Sequence, residues 1–312
     1  MARPAVWHVL AVGAMLLGAL WLPLPLYLAA LAVFGLPHVV WEMGFLRSRY
    51  AGRWPWAWWL ALWAVLLAQA VVRGAVWVDT YSATLGQIVD LLSLLALGLI
   101  VAAAPAGAGW RVRLAGLAAA LAVWLLLERG DVLHALLVLA VLHNFTPLAM
   151  VWDMRREQPR SPAVRALAWA VSGLFLLPLL VAFSGWSGAF LPPALGMQMP
   201  LLEAQWPPQW GGVQHSAVLS AIVLAQCLHY YCVIVLLPRA EQRRSGQPVL
   251  PRGLQLATWA AAALMTAYYA ADHASARQLY AVAAGIHAWL EWPVLLMAWL
   301  SRPPALKRRQ KR

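Results

Sequence analysis

Long apolar runs, separated by short polar or Pro/Gly-rich breaks, recur along the whole 312-residue chain. Most of them approach the roughly 20 residues that an α-helix needs to cross the hydrocarbon layer of a membrane. Lipid offers no partner for an unpaired backbone N–H or C=O group, so each run must close its hydrogen bonds within a helix. The pattern therefore predicts an all-α, polytopic transmembrane helical bundle.

The breaks divide the chain into ten predicted spans within a single integral-membrane domain. These spans cover residues 6–22, 24–46, 55–77, 84–104, 111–127, 132–152, 163–184, 213–237, 253–271 and 279–300. The division at Pro23 rests on the shortest break, because the first two runs otherwise form one apolar stretch. The longest connection, 185–212, contains no Lys or Arg, and we predict that it forms an extracytoplasmic loop.

Basic residues supply an independent check on the number of spans. With a cytoplasmic N-terminus, the ten-span topology leaves only Arg73, Arg129 and Arg277 of the 23 Lys and Arg on the outer side. The positive-inside rule predicts such an asymmetry, and a wrong number of spans would scramble it. Both termini are then cytoplasmic, and we predict a multi-pass protein of a bacterial-type inner or plasma membrane.

Composition agrees with this prediction, since 63% of the residues are hydrophobic and only 11% are charged. A soluble domain has about one charged residue in four. The net charge of +12 is explained by loop residues that face anionic lipid headgroups. No basic patch is interleaved with aromatic residues in a soluble domain, so membrane lipids and not nucleic acid are the expected partners.

Four histidines lie inside predicted spans, where an ionisable side chain is costly and therefore indicates a functional site. They are His38, His143, His229 and His287, on the second, sixth, eighth and tenth spans. In the ten-span topology these helices run in the same direction, so their imidazoles can converge in the bundle interior. A lone buried histidine is more often a packing residue, but four at compatible depths favour a shared metal site.

Carboxylates accompany two of these histidines at helical spacing. Glu42 follows His38, and Glu291 follows His287, at i, i+4, which places each pair on one face of its helix. Such a carboxylate can accept the second N–H of a metal-bound imidazole, or it can bind the metal directly. Spacing alone leaves a single ion and a dinuclear centre both open. Asp90, in the fourth span, is a further candidate.

Segments around these residues resemble the Brp/Blh-type β-carotene 15,15′-dioxygenases, polytopic membrane proteins that cleave carotene to retinal. FGLPHVVWE at Phe34–Glu42 is similar to the family's GLPHGALD, and looser likenesses follow in LHNFTPLAMVWD, CLHYY and GIHAWLEW. The chain departs from the family pattern in three places. Val39 stands in place of a glycine, Asp153 follows His143 at a longer spacing, and Ala225 stands where a His-x3-His pair has its first histidine.

The resemblance implies a mononuclear non-haem iron, Fe(II), held by histidines with a position open for O2, beside a lipid-accessible tunnel for a long apolar polyene. Copper, zinc or a two-metal centre are the alternatives for the same residues. Apolar and aromatic walls would receive such a substrate and keep water from reactive intermediates. The candidate substrate-binding residues are Trp41, Tyr230, Tyr231, Trp289 and Trp292. Helix packing would explain these aromatic residues equally well.

The sequence thus predicts an integral-membrane, metal-dependent oxygenase that acts with O2 on an apolar, carotenoid-like or other lipid substrate. The four intramembrane histidines are its predicted metal ligands, and Glu42 and Glu291 are predicted to support catalysis beside the metal or as further ligands. One alternative is a dinuclear-metal membrane hydroxylase or desaturase, although the His-x2-3-His boxes of such enzymes do not occur. The other is a transporter, or a haem- or pigment-binding assembly factor.

Overall fold

The computed structural model describes residues 3–129, 132–184 and 213–301, which are almost entirely helical. No β-strand occurs among these residues, so the predicted all-α class is confirmed for them. In chain order the α-helices are α1 (Arg3–Trp21), α2 (Pro23–Tyr50), α3 (Trp56–Trp77), α4 (Ala83–Ala102), α5 (Trp110–Glu128), α6 (Val132–His143), α7 (Thr146–Glu157), α8 (Pro162–Ser184), α9 (Val213–Tyr231), α10 (Leu237–Ser245), α11 (Arg252–Ala271) and α12 (His273–Leu300).

Seven helical stretches are long and apolar enough to cross a membrane. They are α2, α3, α4, α5, α8, α12 and the stretch Ala217–Ser245, which joins α9 to α10. Each of the ten predicted spans has a helical counterpart at the same place in the chain. The number of ten crossings and the cytoplasmic position of both termini stay predictions, and the predicted loop 185–212 lies outside the described residues.

The sixth predicted span is not one helix, because it breaks directly after His143. Helix α6 ends at this residue, a turn covers Asn144 and Phe145, and α7 begins at Thr146. Pro147 explains the break, since a proline lacks the N–H for an i−4 hydrogen bond and its ring collides with that carbonyl group. This carbonyl group belongs to His143, and it accepts a hydrogen bond from Thr146 Oγ1 at 2.7 Å instead.

A second irregularity interrupts the stretch between α9 and α10. Residues Cys232–Leu236 form a π-helical turn, in which the Leu237 N–H donates to the Cys232 carbonyl. A π turn carries one extra residue, so it rotates the following helix by about 100° relative to the preceding one. On the rotated α10, the side chain of Glu241 is fully buried.

Two helices, α2 and α12, lie at the centre of the bundle. The first packs against α1, α9, α10, α11 and α12, and the second also packs against α3, α4, α5 and α7.

Asp272 caps the N-terminus of α12, where its side chain accepts a hydrogen bond from the Ser275 N–H at 3.1 Å. This hydrogen bond holds the pKa of Asp272 below its ordinary value. Each of the two central helices carries one of the His-x3-Glu pairs.

The ten-span topology predicts the side of the membrane on which each connection lies. The exposed residues Thr80 and Ala274 lie at connections predicted to be extracytoplasmic, whereas the exposed Gln247 lies in a predicted cytoplasmic connection. Both native cysteines are buried. We expect a membrane-impermeant maleimide to label Thr80→Cys and Ala274→Cys in intact host cells, and to label Gln247→Cys only after permeabilisation. Labelling of Gln247→Cys in intact cells would contradict the topology.

Candidate metal centre

Four helical segments bring the predicted histidines and one glutamate together at the centre of the bundle. One ring nitrogen from each of four histidines and one carboxylate oxygen of Glu42 all lie within 4.8 Å of one another. The histidines are His38, His143, His229 and His287. Neighbouring imidazole centroids are between 4.7 and 5.4 Å apart. The structure thus brings all four predicted ligands into one cluster, although nothing in their spacing along the chain required it.

The hydrogen bonds of His38 and His287 determine which ring nitrogen faces the cluster. Nδ1 of His38 lies 3.2 Å from the Phe34 carbonyl oxygen, and Nδ1 of His287 lies 3.3 Å from the Ala283 carbonyl oxygen. A carbonyl oxygen can only accept, so each Nδ1 carries the proton and each neutral ring presents its Nε2 lone pair. The two Nε2 atoms are 3.1 Å apart. Two lone pairs at this distance repel unless a positive charge lies beside them.

His143 directs a third nitrogen to the same point. Its Nε2 lies 3.0 Å from Nε2 of His287, and its Nδ1 lies 2.7 Å from a carboxylate oxygen of Glu291. The carboxylate favours the Nδ1-protonated ring and thereby leaves Nε2 with its lone pair. Thr146, in the first turn of α7, also lies beside Glu291. Glu291 therefore supports a candidate ligand from behind, whereas Glu42 lies among the converging atoms.

Glu42 and His229 complete the cluster. One oxygen of Glu42 lies 3.3 Å from Nε2 of His229 and 3.7 Å from Nε2 of His287. Nδ1 of His229 makes no hydrogen bond within the described part of the chain, and the carboxyl group of Glu42 is buried between His229 and Glu291. Buried polar atoms are nearly always paired, and a buried carboxylate needs a positive charge close by. A metal ion among these atoms would satisfy both requirements.

The distances within the cluster fit the coordination shell of one metal ion. Imidazole nitrogens bind first-row metals at about 2.0–2.1 Å, so two ligands at a right angle lie about 3.0 Å apart and two at a tetrahedral angle about 3.4 Å apart. The observed Nε2 separations of 3.0 and 3.1 Å lie close to this range.

The charge of the cluster also suits a divalent cation. Glu42 and Glu291 are both fully buried, and the imidazoles are neutral in the form that binds a metal. Among the described residues, only histidines form ion pairs with these two carboxylates. The two carboxyl groups also lie beside each other, so they either share a proton or need a cation that holds both in the ionised form. A dication would neutralise them.

One predicted substrate-binding residue, Tyr230, lies against the cluster. Its ring stacks on His38 with the centroids 4.1 Å apart and an angle of 29° between the planes, and its hydroxyl accepts a hydrogen bond from Gln226 at 2.9 Å. Tyr280, which was not predicted from the sequence, lies near the His38 ring, and the two ring centroids are 6.4 Å apart. The spacing along the chain could have identified it, because Tyr280 precedes His287 by seven residues and so lies on the same face of the helix.

Within the described residues, no ring contact joins the other predicted substrate-binding residues to the histidines of the cluster. Trp41 packs against α11, where its ring lies 5.7 Å from an indole, and the hydroxyl of Tyr231 contacts a histidine of α1. Trp289 follows His287 by two residues, which places it about 200° round the helix. Trp292 packs against the main apolar core. For these four residues, the observed contacts are those of helix packing.

Asp90, the further candidate from the sequence, lies in a separate ionic site. Its carboxylate accepts hydrogen bonds from Gln69 Nε2 at 2.8 Å and from Arg73 Nε at 3.0 Å. Arg73 also forms a salt bridge with it. These partners belong to α3, so Asp90 ties α3 to α4 and does not contribute to the histidine cluster.

A buried ionic network lies two helical turns along α2 from the cluster. Arg49 follows Glu42 by seven residues, which corresponds to about 10 Å along the helix. Its guanidinium lies 2.8 Å from carboxylate oxygens of Asp153 and Glu157 and 3.6 Å from Glu241. The network therefore joins α2 to α7 and α10, which continue the segments that carry His143 and His229.

Two further arginines balance the charge of this network, and a third ties in α12. Arg53 forms salt bridges with the two acids of α7, and Arg244 donates to Glu241 at 2.8 Å. Arg156 of α7 donates to the carbonyl groups of Ala298 and Trp299 at the end of α12. Every segment that carries a residue of the cluster is thus cross-linked at the same end of the bundle. The sequence analysis did not find this network.

Comparisons with known proteins do not assign the chain to a family. No protein-family model, curated protein or solved structure matches it. The resemblance to the Brp/Blh-type dioxygenases rests on the short motifs alone and stays a prediction.

Asp153→Asn is expected to weaken metal binding, although Asp153 does not belong to the histidine cluster. The change removes a charge that faces buried Arg49, which we expect to cost about 3 kcal/mol of stability and to lower the melting temperature. Because α7 is then less firmly fixed to α2, we also expect Co(II) affinity, followed by ligand-field absorption, to fall roughly 10-fold.

Asp90→Asn is the matched control, because it disrupts a buried ion pair on two helices that carry no cluster residue. It should lower the melting temperature and leave the Co(II) affinity unchanged. An equal loss of Co(II) affinity in the two variants would show that the ionic network has no special relation to the centre.

Proposed function

We propose that the chain is an integral-membrane oxygenase that holds one ferrous ion with its four clustered histidines and Glu42. The observation that carries this proposal is the approach of the Nε2 lone pairs of His38, His143 and His287 to 3.0 and 3.1 Å beside the buried carboxyl group of Glu42. Imidazole and carboxylate donors are the ligand types of non-haem Fe(II) oxygenases. When bound, ferrous iron would supply a redox-active centre at which O2 can be reduced.

Residues of the chain itself would hold and shield this centre. Glu291 fixes the ring of His143, since a carboxylate behind a ligand sets its tautomer and orientation. Tyr230 covers one face of the His38 ring. The surrounding helices bury every residue of the cluster except His143 to 2% exposure or less. This enclosure keeps bulk water from the reacting atoms, as oxygen chemistry on an apolar substrate requires.

His143 marks the side from which a substrate would reach the centre. Its side chain is 13% exposed, and the preceding residue, Leu142, is 58% exposed. Both lie where α6 ends, in a part of the bundle whose outer surface is apolar. A substrate dissolved in the bilayer would therefore meet His143 first. This supports an apolar substrate, either carotenoid-like or another lipid.

The same distances favour one ion over the two other cofactors considered from the sequence. Two-metal sites hold their ions about 3.5–4 Å apart, and each ion needs its own set of ligands. Here, all five donor atoms lie within 4.8 Å of one another, close to the roughly 4.2 Å that separates opposite ligands of a single ion and too compact for two complete ligand sets. A haem would need its flat ring between two imidazoles, and nitrogens 3.0 and 3.1 Å apart leave no space for it.

A specific observation favours a second candidate function, the translocation of a metal ion. Transporters often place ion sites at interrupted membrane helices, and the helix pair α6 and α7 is interrupted directly at His143. The two functions differ in how firmly the ion is held. A transported ion must exchange, whereas the ion of an oxygenase stays bound during purification.

Metal analysis is the first test of the proposal. We expect the detergent-purified protein to contain about one equivalent of iron without the Soret band of a haem. The double variant His38→Ala/His287→Ala should lose the iron, because two of the five donors are removed. His273→Ala, which changes a histidine outside the cluster, is the control. Wild-type protein without stoichiometric metal, or a double variant that keeps it, would refute the metal centre.

Oxygen uptake tests the reaction itself. We expect iron-loaded protein to consume O2 when an apolar polyene such as β-carotene is added, and Glu42→Gln to abolish this uptake while keeping the side-chain volume. Glu128→Gln, which changes an exposed acid at the end of α5, should leave the uptake unchanged. Iron-loaded protein that consumes no O2 with carotenoids or other lipids, but exchanges iron across a vesicle membrane, would favour translocation.

A further inference from the structure

A groove of about 710 Å³ runs along α2, beside the face that carries the metal cluster. Its volume lies within the range of about 300–1,000 Å³ that is usual for small-molecule sites. Val39, Met43 and Arg47 line it at intervals of four residues, so they mark one line along the helix, about 12 Å long. Trp59 and Trp63 of α3 form the opposite wall.

The groove lies next to the cluster but is separate from it. Val39 and Met43 each follow a cluster residue by one position, which turns them about 100° away from His38 and Glu42. On the other central helix, Leu290 lines the groove and directly precedes Glu291. The inner end of the groove is therefore level with the candidate metal centre, on the adjacent face of α2.

The connection between α10 and α11 closes one side of the groove. Val249 and Leu250 pack onto α2 at Gly44, where an added Cβ would lie 3.0 Å from Val249 Cγ1 and 2.6 Å from Leu250 Cδ2. A side chain larger than that of glycine would force these two side chains to shift. The connection is thus held against the helix, and the groove is a formed cavity rather than a gap between loosely packed helices.

One unneutralised charge, the guanidinium of Arg47, lies at the outer end of the groove. Arg47 is exposed, and no ion pair or side-chain hydrogen bond involves it within the described residues. The acid of the neighbouring helix, Glu241, is already engaged by Arg49, by Arg244 and by the Ser48 hydroxyl. An anionic group at Arg47 would therefore meet an available cation and no competing carboxylate.

We propose that this groove binds a single-chain amphiphile with a carboxylate head group, that is, a long-chain fatty acid. The carboxylate pairs with Arg47, whose planar guanidinium offers two parallel N–H donors, and the chain lies between α2 and the two tryptophans of α3. One cation matches one negative charge, and the cavity is too small for a diacyl phospholipid. The inference goes beyond the proposed function and needs no metal.

The test compares an acid and an alcohol of the same chain length. Oleate and oleyl alcohol are titrated into the full chain in nanodiscs of zwitterionic lipid, with and without prior removal of metal by a chelator. We expect Arg47→Gln to weaken oleate binding roughly 10-fold and to leave oleyl alcohol binding unchanged. Val40→Phe, which narrows the groove, should weaken the binding of both.

Arg160→Gln is the control, since Arg160 is an exposed arginine of another connection on the same predicted side. It should bind oleate as the wild type does. Equal binding of oleate and oleyl alcohol by the wild type, an equal loss in the two arginine variants, or displacement of oleate by lower concentrations of a diacyl anionic phospholipid would each overturn the proposal. Because oleate binding is also measured on metal-free protein, this result can be interpreted even if the oxygenase proposal fails.

Discussion

The buried pair of carboxyl groups of Glu42 and Glu291 at the centre of the bundle is the constraint that governs the rest of the structure. Both carboxylates are fully buried, and only imidazoles form ion pairs with them within the described residues. Neutral imidazoles cannot cancel the charge of an ionised carboxylate, but they can share a cation with it. The orientation of the rings, with Nδ1 turned to backbone or carboxylate oxygens and Nε2 turned inward, is the arrangement that a shared cation needs.

A cluster assembled from distant segments needs its helices to be fixed to one another, and the ionic network around Arg49 does this two turns away. Its charges are paired within a low-dielectric interior, so each is held strongly and none is left over. The same helix, α2, carries cluster residues, network residues and the lining of the groove. Small rotations of α2 would therefore disturb all three features at once.

Much of this arrangement could be predicted from local spacing. The ten apolar runs located the helices, and the two His-x3-Glu pairs located the faces that meet at the centre. Spacing could not show that Glu42 lies among the donor atoms while Glu291 lies behind His143, because this depends on how α12 is rotated against α6. The Arg49 network was missed for the same reason, since its partners are about 100 and 190 positions away along the chain. Trp41 and Tyr231 were assigned by proximity in sequence, but helical rotation turns them towards other helices.

The break between α6 and α7 has an electrostatic consequence. His143 is the last residue of α6, so the C-terminus of that helix ends at the cluster. Aligned peptide dipoles give a helix C-terminus a partial charge of roughly −0.5. His38 and His287 lie in the middle of their helices, and His229 lies in the last turn of α9, which continues directly into the π turn. Pro147, by ending α6 at this point, thus turns the negative end of one helix towards the cluster, while the positive N-terminal end of α7 lies beside Glu291, and it does so without adding another ionisable side chain to the interior of the bundle.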